Sequence, residues 1–175
     1  MRRYICMAFL SLISIIYVSA QGPSIVGKWT MTAKQTAQEK QYAVMEFDDQ
    51  GGVTVFLHII TSGNGVNFKF VGKVNGHYER SVKAISQEFN LNDITIDYNV
   101  DVPELTETQK NQLMQQIKPT LDGTMIPQIK QTFRTMLAQG NFKQIVYLSD
   151  ETLVIGRPGQ VIETFHKGGI EDIKL

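Results

Sequence analysis

Apolar and polar residues alternate with a period of two along most of the chain after its first 25 residues. In residues 53–59 every second position is Val, Leu or Ile, and in residues 94–100 Ile, Tyr and Val alternate with Thr, Asp and Asn. Such alternation is typical of strands with one buried and one solvated face. Segments rich in Gly, Asn and Asp separate these runs, as at residues 48–52 and 62–65. The pattern predicts an antiparallel meander.

The dipeptide Asn75-Gly76 allows two interpretations. It is either the two-residue turn of a hairpin, or Gly76 is a bend inside one strand that runs on to Arg80. We favour the bend, because a closed barrel needs such kinks and no neighbouring residue supplies one.

Helical periodicity interrupts the strands at about residues 104–139. Thr106 and Gln109 are spaced as a capping box, and apolar residues then recur at helical spacing up to Pro119. A second helix is predicted from about Thr124 to Gly140. Its apolar stripe consists of Ile126, Ile129, Phe133, Met136 and Leu137. We therefore expect a two-helix insertion before the last three strands.

Three strand-like runs follow the insertion, at residues 142–148, 152–155 and 160–166, and residues 168–175 resemble a loose tail. The chain thus contains about eight or nine antiparallel strands. A sheet of that size closes or splits to protect its edges, and eight strands close into a barrel that can hold one small ligand. The predicted fold is mostly β, an antiparallel up-and-down barrel in one domain over residues 21–175.

Residues 1–20 predict a signal peptide. Arg2 and Arg3 precede an apolar run at residues 7–18, and Val18 and Ala20 supply the small residues of a cleavage site. The run is shorter than the about 20 apolar residues that a membrane-spanning helix needs. We expect an exported protein, periplasmic or secreted, without a membrane span.

Composition disfavours several kinds of chemistry. Lys and Arg together number 17, as do Asp and Glu, so no basic excess favours a nucleic-acid partner. Cys6 is the only cysteine and precedes the apolar core of the predicted signal peptide, so it cannot serve as a lipid anchor. The mature chain then has no disulfide, no thiolate metal site and no cysteine nucleophile.

Patterns for catalysis or metal binding are weak. His58, His77 and His166 lie on separate runs, without the short spacings of a metal site. Acidic pairs such as Glu46 and Asp48 fit a solvated strand face or a turn better than glycoside hydrolysis. No serine lies in a G-x-S-x-G elbow. We therefore expect neither an enzyme nor a metal or other cofactor.

Three segments resemble a known family. Ile25-Val26-Gly27-Lys28-Trp29 is similar to the G-x-W opening of lipocalins, and residues 47–53 are similar to the F-x-x-x-G-x-V hairpin that follows it. Residues 152–167 are similar to the closing hairpin. From residue 25 to residue 167, apart from the helical insertion, the chain resembles small exported lipocalin-like proteins of bacteria. The resemblance implies a barrel that can enclose an apolar cavity.

The resemblance also implies how the barrel closes. In the family a basic side chain from the end of the barrel lies over the tryptophan of the first strand, and Lys167 falls at that position. Gly27, Trp29 and Lys167 are therefore expected to form the closure, with a cation–π contact over the indole. Trp29 could instead face a ligand, but a buried Trp more often serves packing.

Six residues at the inward phase of the strands are candidates for a ligand site. Arg80 and Gln87 would orient a polar head group. The apolar wall would come from Phe68, Phe70, Phe89 and Tyr98. The alternative is that these side chains simply fill the interior of a small barrel.

Three functions are compatible with these observations. The first is a non-catalytic protein that binds a small apolar or amphipathic ligand in its barrel. The second is a filled barrel whose helices or exposed edge dock an envelope or extracellular protein. An enzyme acting on an exported substrate is the weakest of the three, because no nucleophile, metal site or acid/base pair is assembled in the sequence.

Overall fold

The computed structural model describes residues 23–63, 65–138, 142–156 and 162–172. The predicted signal peptide and Gly140, the predicted helix end, lie outside the described residues. Within them the strands are β1 (Gly27–Gln35), β2 (Glu39–Phe47), β3 (Gly52–Gly63), β4 (Val66–Arg80), β5 (Ala84–Phe89), β6 (Thr95–Asp101), β7 (Phe142–Leu148), β8 (Thr152–Gly156) and β9 (Glu163–Lys167).

Eight of these strands close into an antiparallel barrel. The ring runs β3-β2-β1-β9-β8-β7-β5-β4, and β4 pairs with β3 to complete it. The ninth strand, β6, lies outside the ring and pairs with β4. The predicted fold class, a mostly β antiparallel barrel with a helical insertion before the last three strands, is confirmed.

The length of β4 explains why one strand lies outside the ring. One edge of β4 pairs with β3, while its other edge pairs with β6 near its start and with β5 near its end. Asn75 and Gly76 lie inside this strand, so they do not form a hairpin turn and the strand runs on to Arg80 as predicted. A Cβ at Gly76 would lie 2.3 Å from the carbonyl oxygen of Glu88 on β5. A larger residue would therefore push β5 away from β4.

The helical insertion is one continuous run rather than two separate helices. It consists of α1 (Glu107–Thr120), a π-helical turn (Leu121–Met125) and α2 (Ile126–Ala138). The capping box of Thr106 and Gln109 is present at its start. Pro119 lies inside α1, and the wide π turn ends two residues before Pro127, which has no N–H to donate to the preceding turn. Neither proline ends the helix.

Helix α2 packs against β4 and β6. Its residue Phe133 is almost completely buried and lies over Gly72 of β4, where a Cβ would be 2.9 Å from a ring carbon. The neighbouring Arg134 donates a hydrogen bond to the carbonyl of Leu91 at 3.3 Å, in the β5–β6 connection. The apolar stripe of α2 thus covers part of the barrel interior. Among the described residues, no helix combines the length and apolar character needed to cross a membrane.

Inward-facing side chains of the strands form a single core. The alternation predicted for residues 53–59 is present, and Val53, Val55 and Leu57 are buried on its inward face. The core also contains Ile25, Trp29, Met45, Phe47, Val74, Ile85, Ile94, Phe133, Leu153, Ile155 and Phe165. Burial of these apolar side chains is the main stabilising contribution.

The C-terminal segment is not a loose tail over residues 168–172, contrary to the expectation from its sequence. The Thr30 hydroxyl donates to the carbonyl of Gly168 at 2.7 Å, and the Gly168 N–H donates to the carbonyl of Lys28 at 2.9 Å. A short 3₁₀ turn (Ile170–Asp172) follows. These hydrogen bonds attach the start of the segment, at Gly168, to β1, and Glu171 of the turn lies 3.9 Å from the Lys28 ammonium.

His58 lies on β3 in a partly buried position. Its Nδ1 atom is buried and has no hydrogen-bond partner within the part of the chain that the structure describes. Burial lowers the pKa of this imidazole below its usual value of 6.5, and the charge of Lys69 lowers the pKa further, while Glu171 opposes the shift. The fold therefore favours neutral His58.

Acidification should consequently destabilise the protein through His58. Because its pKa is lower in the folded than in the unfolded chain, the unfolded chain takes up the proton first. The free energy of unfolding should then decrease as the pH falls below about 6.5, by at most about 1.4 kcal/mol per pH unit. Urea unfolding at several pH values should show that His58→Leu removes this component. The control His166→Leu changes an exposed histidine. An unaltered pH dependence in His58→Leu would contradict the assignment.

Candidate functional site

The first and last strands of the barrel meet at Trp29. This residue lies opposite Lys167 in the β1–β9 pairing, and its side chain is fully buried. The indole Nε1 donates a hydrogen bond to the carbonyl of Ile25 at 2.6 Å. Since the polar atom of the ring already has a partner in the protein, the geometry favours packing over ligand contact for Trp29.

Lys167 closes the barrel over the indole. Its Nζ lies 4.4 Å from the centroid of the Trp29 ring and donates to the carbonyl of Val26 at 2.6 Å. Gly27 has a φ of 116°, and a Cβ there would lie 2.8 Å from the Lys167 Nζ. Gly27 therefore provides both the left-handed backbone and the space that the ammonium group occupies. The cation–π contact implied by the family resemblance is present.

A cavity of about 80 Å³ lies inside the barrel, beneath α2. Its wall is mainly apolar and comes from both the strands and the helix. The apolar residues are Met31, Ala43, Met45, Val55, Phe56, Leu57, Phe89 and Phe165 from the strands, and Phe133, Met136 and Leu137 from α2. Because α2 supplies part of the wall, its position sets the size of the cavity.

Two charged side chains belong to the same wall. Lys143 lies opposite the buried Ile85, and Glu163 lies opposite the buried Ile155, so both face the interior. The Lys143 Nζ is 2.5 Å from a Glu163 carboxylate oxygen, and the two side chains are 12% and 30% exposed. The pair is therefore a partly desolvated ion pair whose charges neutralise each other.

Gln87 is the most buried polar residue of the wall, at 3% exposure. Its Nε2 donates to the sulfur of Met45 at 3.7 Å, which is a weak acceptor. This is the one hydrogen bond that its side chain makes to the described residues, so the amide oxygen has no protein donor there. The cavity can accordingly hydrogen-bond a bound molecule.

Two of the six predicted ligand-site residues, Gln87 and Phe89, line the cavity. Phe68 stacks on Phe70, and Phe70 contacts Tyr98, each pair with ring centroids 6.3 Å apart. These three aromatic residues form a row on β4 and β6 and do not line the cavity.

The sixth predicted residue, Arg80, is exposed at the end of β4. Its guanidinium donates to the carbonyl of Pro23 at 3.0 Å, and it does not line the cavity. Lys143 and Glu163 are not among the site residues predicted from the sequence. Lys143 and Ile145 lie two positions apart, so they belong to the same face of the strand, which is the signal that could have placed Lys143 inside. Because apolar residues occur on both faces of residues 142–148, the sequence pattern does not decide which face points inwards.

Comparison with protein-family models and with curated proteins finds no match to this chain. The eight-stranded antiparallel barrel is compatible with a lipocalin-like fold. Within the described ranges, no group of three or more His, Cys, Asp or Glu side chains is arranged to hold a metal ion.

The contacts of Lys167 predict a measurable contribution to stability. Lys167→Met keeps most of the aliphatic stem but removes the cation–π contact and the hydrogen bond to Val26. We expect a loss of about 1–2 kcal/mol in the free energy of unfolding, measured with urea. The matched control Lys28→Met removes an exposed ammonium that lies 3.9 Å from Glu171 and should change stability by less than about 0.5 kcal/mol. Equal effects of both substitutions would contradict a special role for Lys167.

Proposed function

We propose that this chain is an exported, lipocalin-like binding protein that holds a small apolar or amphipathic molecule in its barrel without catalysing a reaction. The observation that carries this proposal is the interior cavity, with its apolar wall and few polar side chains. That composition is usual for small-molecule sites, where apolar contacts give affinity and polar groups fix orientation.

The cavity volume restricts the ligand. About 80 Å³ exceeds the roughly 10–15 Å³ that a cavity needs to hold one water molecule and is less than the roughly 150 Å³ of a protein cavity that binds benzene. Pockets for drug-sized molecules begin at about 300 Å³. The part of the ligand inside the cavity therefore has only a few non-hydrogen atoms, and the rest of a longer ligand would extend through the open side of the cavity.

Export is proposed from the N-terminal pattern, and the place of action would be the periplasm or the exterior of the cell. The lipocalin-like relationship is supported by the Gly27, Trp29 and Lys167 closure. The absence of catalysis is proposed because Lys143 and Glu163, the charged groups of the cavity, are paired with each other.

Filling the cavity should abolish binding. Ala43 lines the cavity, and Ala43→Leu would place additional carbon atoms inside it. Ala33→Leu makes the same change at an exposed position of β1 and serves as the matched control. We expect xenon, which enters small apolar cavities, to bind the native protein and Ala33→Leu but not Ala43→Leu.

Methyl NMR of the protein labelled at its methionine methyl groups measures this binding site by site. Met31, Met45 and Met136 line the cavity and should shift with xenon, whereas Met114 and Met125 on the helical insertion should not. If the three cavity methyls of the native protein do not respond, the proposed ligand site is wrong.

A second candidate function is docking of another protein on the outer face of the barrel. Phe142, Val146, Tyr147 and Ile162 are each more than half exposed. Val146 and Ile162 lie next to each other, since both come within 4 Å of the position that a Cβ at Gly156 would occupy. Exposed apolar clusters of this kind often mark an interaction surface.

Native mass spectrometry of the protein purified from its own host separates the two functions. A bound mass of a small organic molecule that is absent from Ala43→Leu is the expected result. An empty barrel that carries a second protein chain, lost in Val146→Lys, would instead establish the docking function and refute the carrier.

A further inference from the structure

We propose that the cavity selects small neutral molecules that carry a hydroxyl group, and that it excludes carboxylates and ammonium ions of the same size. This inference rests on the proposed ligand binding and names the chemical class of the ligand. It follows from two features of the wall, the Gln87 amide and the Lys143–Glu163 pair.

Gln87 indicates a hydrogen-bonding ligand. Gln87 is only 3% exposed. Its amide nevertheless makes a single long contact, to the sulfur of Met45. Its oxygen accepts no hydrogen bond from the described residues and is not fully enclosed by protein, so it is open to the cavity. A bound molecule with a donor would satisfy that oxygen.

A hydroxyl group meets this requirement with one atom. The hydroxyl can donate to the Gln87 amide oxygen, and its own oxygen can accept from the amide nitrogen in place of the weak sulfur acceptor. The remaining alkyl part then contacts apolar side chains such as Met31, Ala43 and Leu57. Because the cavity is small, a polar group with a single oxygen atom, such as a hydroxyl, fits it better than a larger polar group.

The Lys143–Glu163 pair disfavours charged ligands. The ammonium and the carboxylate are 2.5 Å apart, so each already has its counter-charge inside the barrel. A ligand carboxylate could reach Lys143 only by displacing Glu163, which would then remain partly buried without its partner. Likewise, a ligand ammonium group could reach Glu163 only by displacing Lys143. A neutral ligand leaves the pair intact, and the site therefore discriminates by charge.

The test compares three small probes of similar size: 1-butanol, n-pentane and butanoate. Dissociation constants come from the methyl shifts of Met31, Met45 and Met136. The variant Gln87→Leu replaces the amide by an apolar group of similar volume. We expect it to weaken 1-butanol binding by about fivefold to tenfold, as the loss of one hydrogen bond predicts, while n-pentane binds as well as before or more tightly.

The charge argument has its own variant. In the native protein butanoate should bind at least about tenfold more weakly than 1-butanol, since it must break the ion pair. Glu163→Gln leaves Lys143 free and should bring butanoate binding to within about threefold of 1-butanol. Glu171→Gln, an exposed carboxylate on the C-terminal 3₁₀ turn, is the matched control and should leave the preference unchanged.

Each outcome decides one of the two proposals. If n-pentane binds but Gln87→Leu leaves 1-butanol binding unchanged, or if butanoate binds the native protein as tightly as 1-butanol, the selection for neutral hydroxyl compounds is wrong and the ligand site stands. If no probe shifts the cavity methyls, the ligand site itself is wrong.

Should Gln87→Leu fail to fold, methyl propyl ether replaces the variant, because it is an isomer of 1-butanol without a hydrogen-bond donor. It must bind the native protein about fivefold more weakly than 1-butanol does.

Discussion

Closure of the barrel depends on the pairing of its first and last strands, and this pairing is short. β1 and β9 pair at two positions, Trp29 with Lys167 and Thr30 with His166. Contacts of other kinds support them: the Lys167 ammonium lies over the buried indole, and Gly168 exchanges hydrogen bonds with Lys28 and Thr30. Because an open sheet would expose unpaired backbone groups on both strands, these few contacts keep the whole ring closed.

The closed ring creates an interior that the side chains nearly fill. Large residues such as Trp29 and Phe165 leave room for a cavity of only about 80 Å³. The helical insertion is part of this arrangement, since Phe133 enters the core from α2 and adjoins the cavity. Gly72 on β4 makes that possible, because the ring of Phe133 lies where a side chain at this position would otherwise be. The barrel thus combines the size limit of a filled core with the polar groups of a binding site.

Sequence patterns identified some parts of the site and missed others for a definite reason. The inward phase of β5 was clear from Ile85, Gln87 and Phe89, and two of these residues line the cavity. On β7 the apolar residues fall on both phases. Phe142 and Val146 face outwards, and an irregularity between Ile145 and Tyr147 brings Leu148 of the same phase against the core. Lys143 consequently points inwards. A shift of one residue exchanges the two faces of a strand, so only the pairing of β7 with β5 and β8 decides which side chain is inside.

The sequence by itself determined the mostly β class, the antiparallel barrel, the position of Gly76 inside a strand and the capping box at Thr106, and a short motif implied the contact between Lys167 and Trp29. Each of these depends on local periodicity, on turn chemistry or on a short motif, and such signals are readable along the chain. Tertiary structure alone decided that the two helical segments join, that residues 168–172 attach to β1, and that Lys143 and Glu163 meet in the cavity. These features depend on contacts between residues that are distant in sequence, where strand register and packing, not local pattern, select the partner.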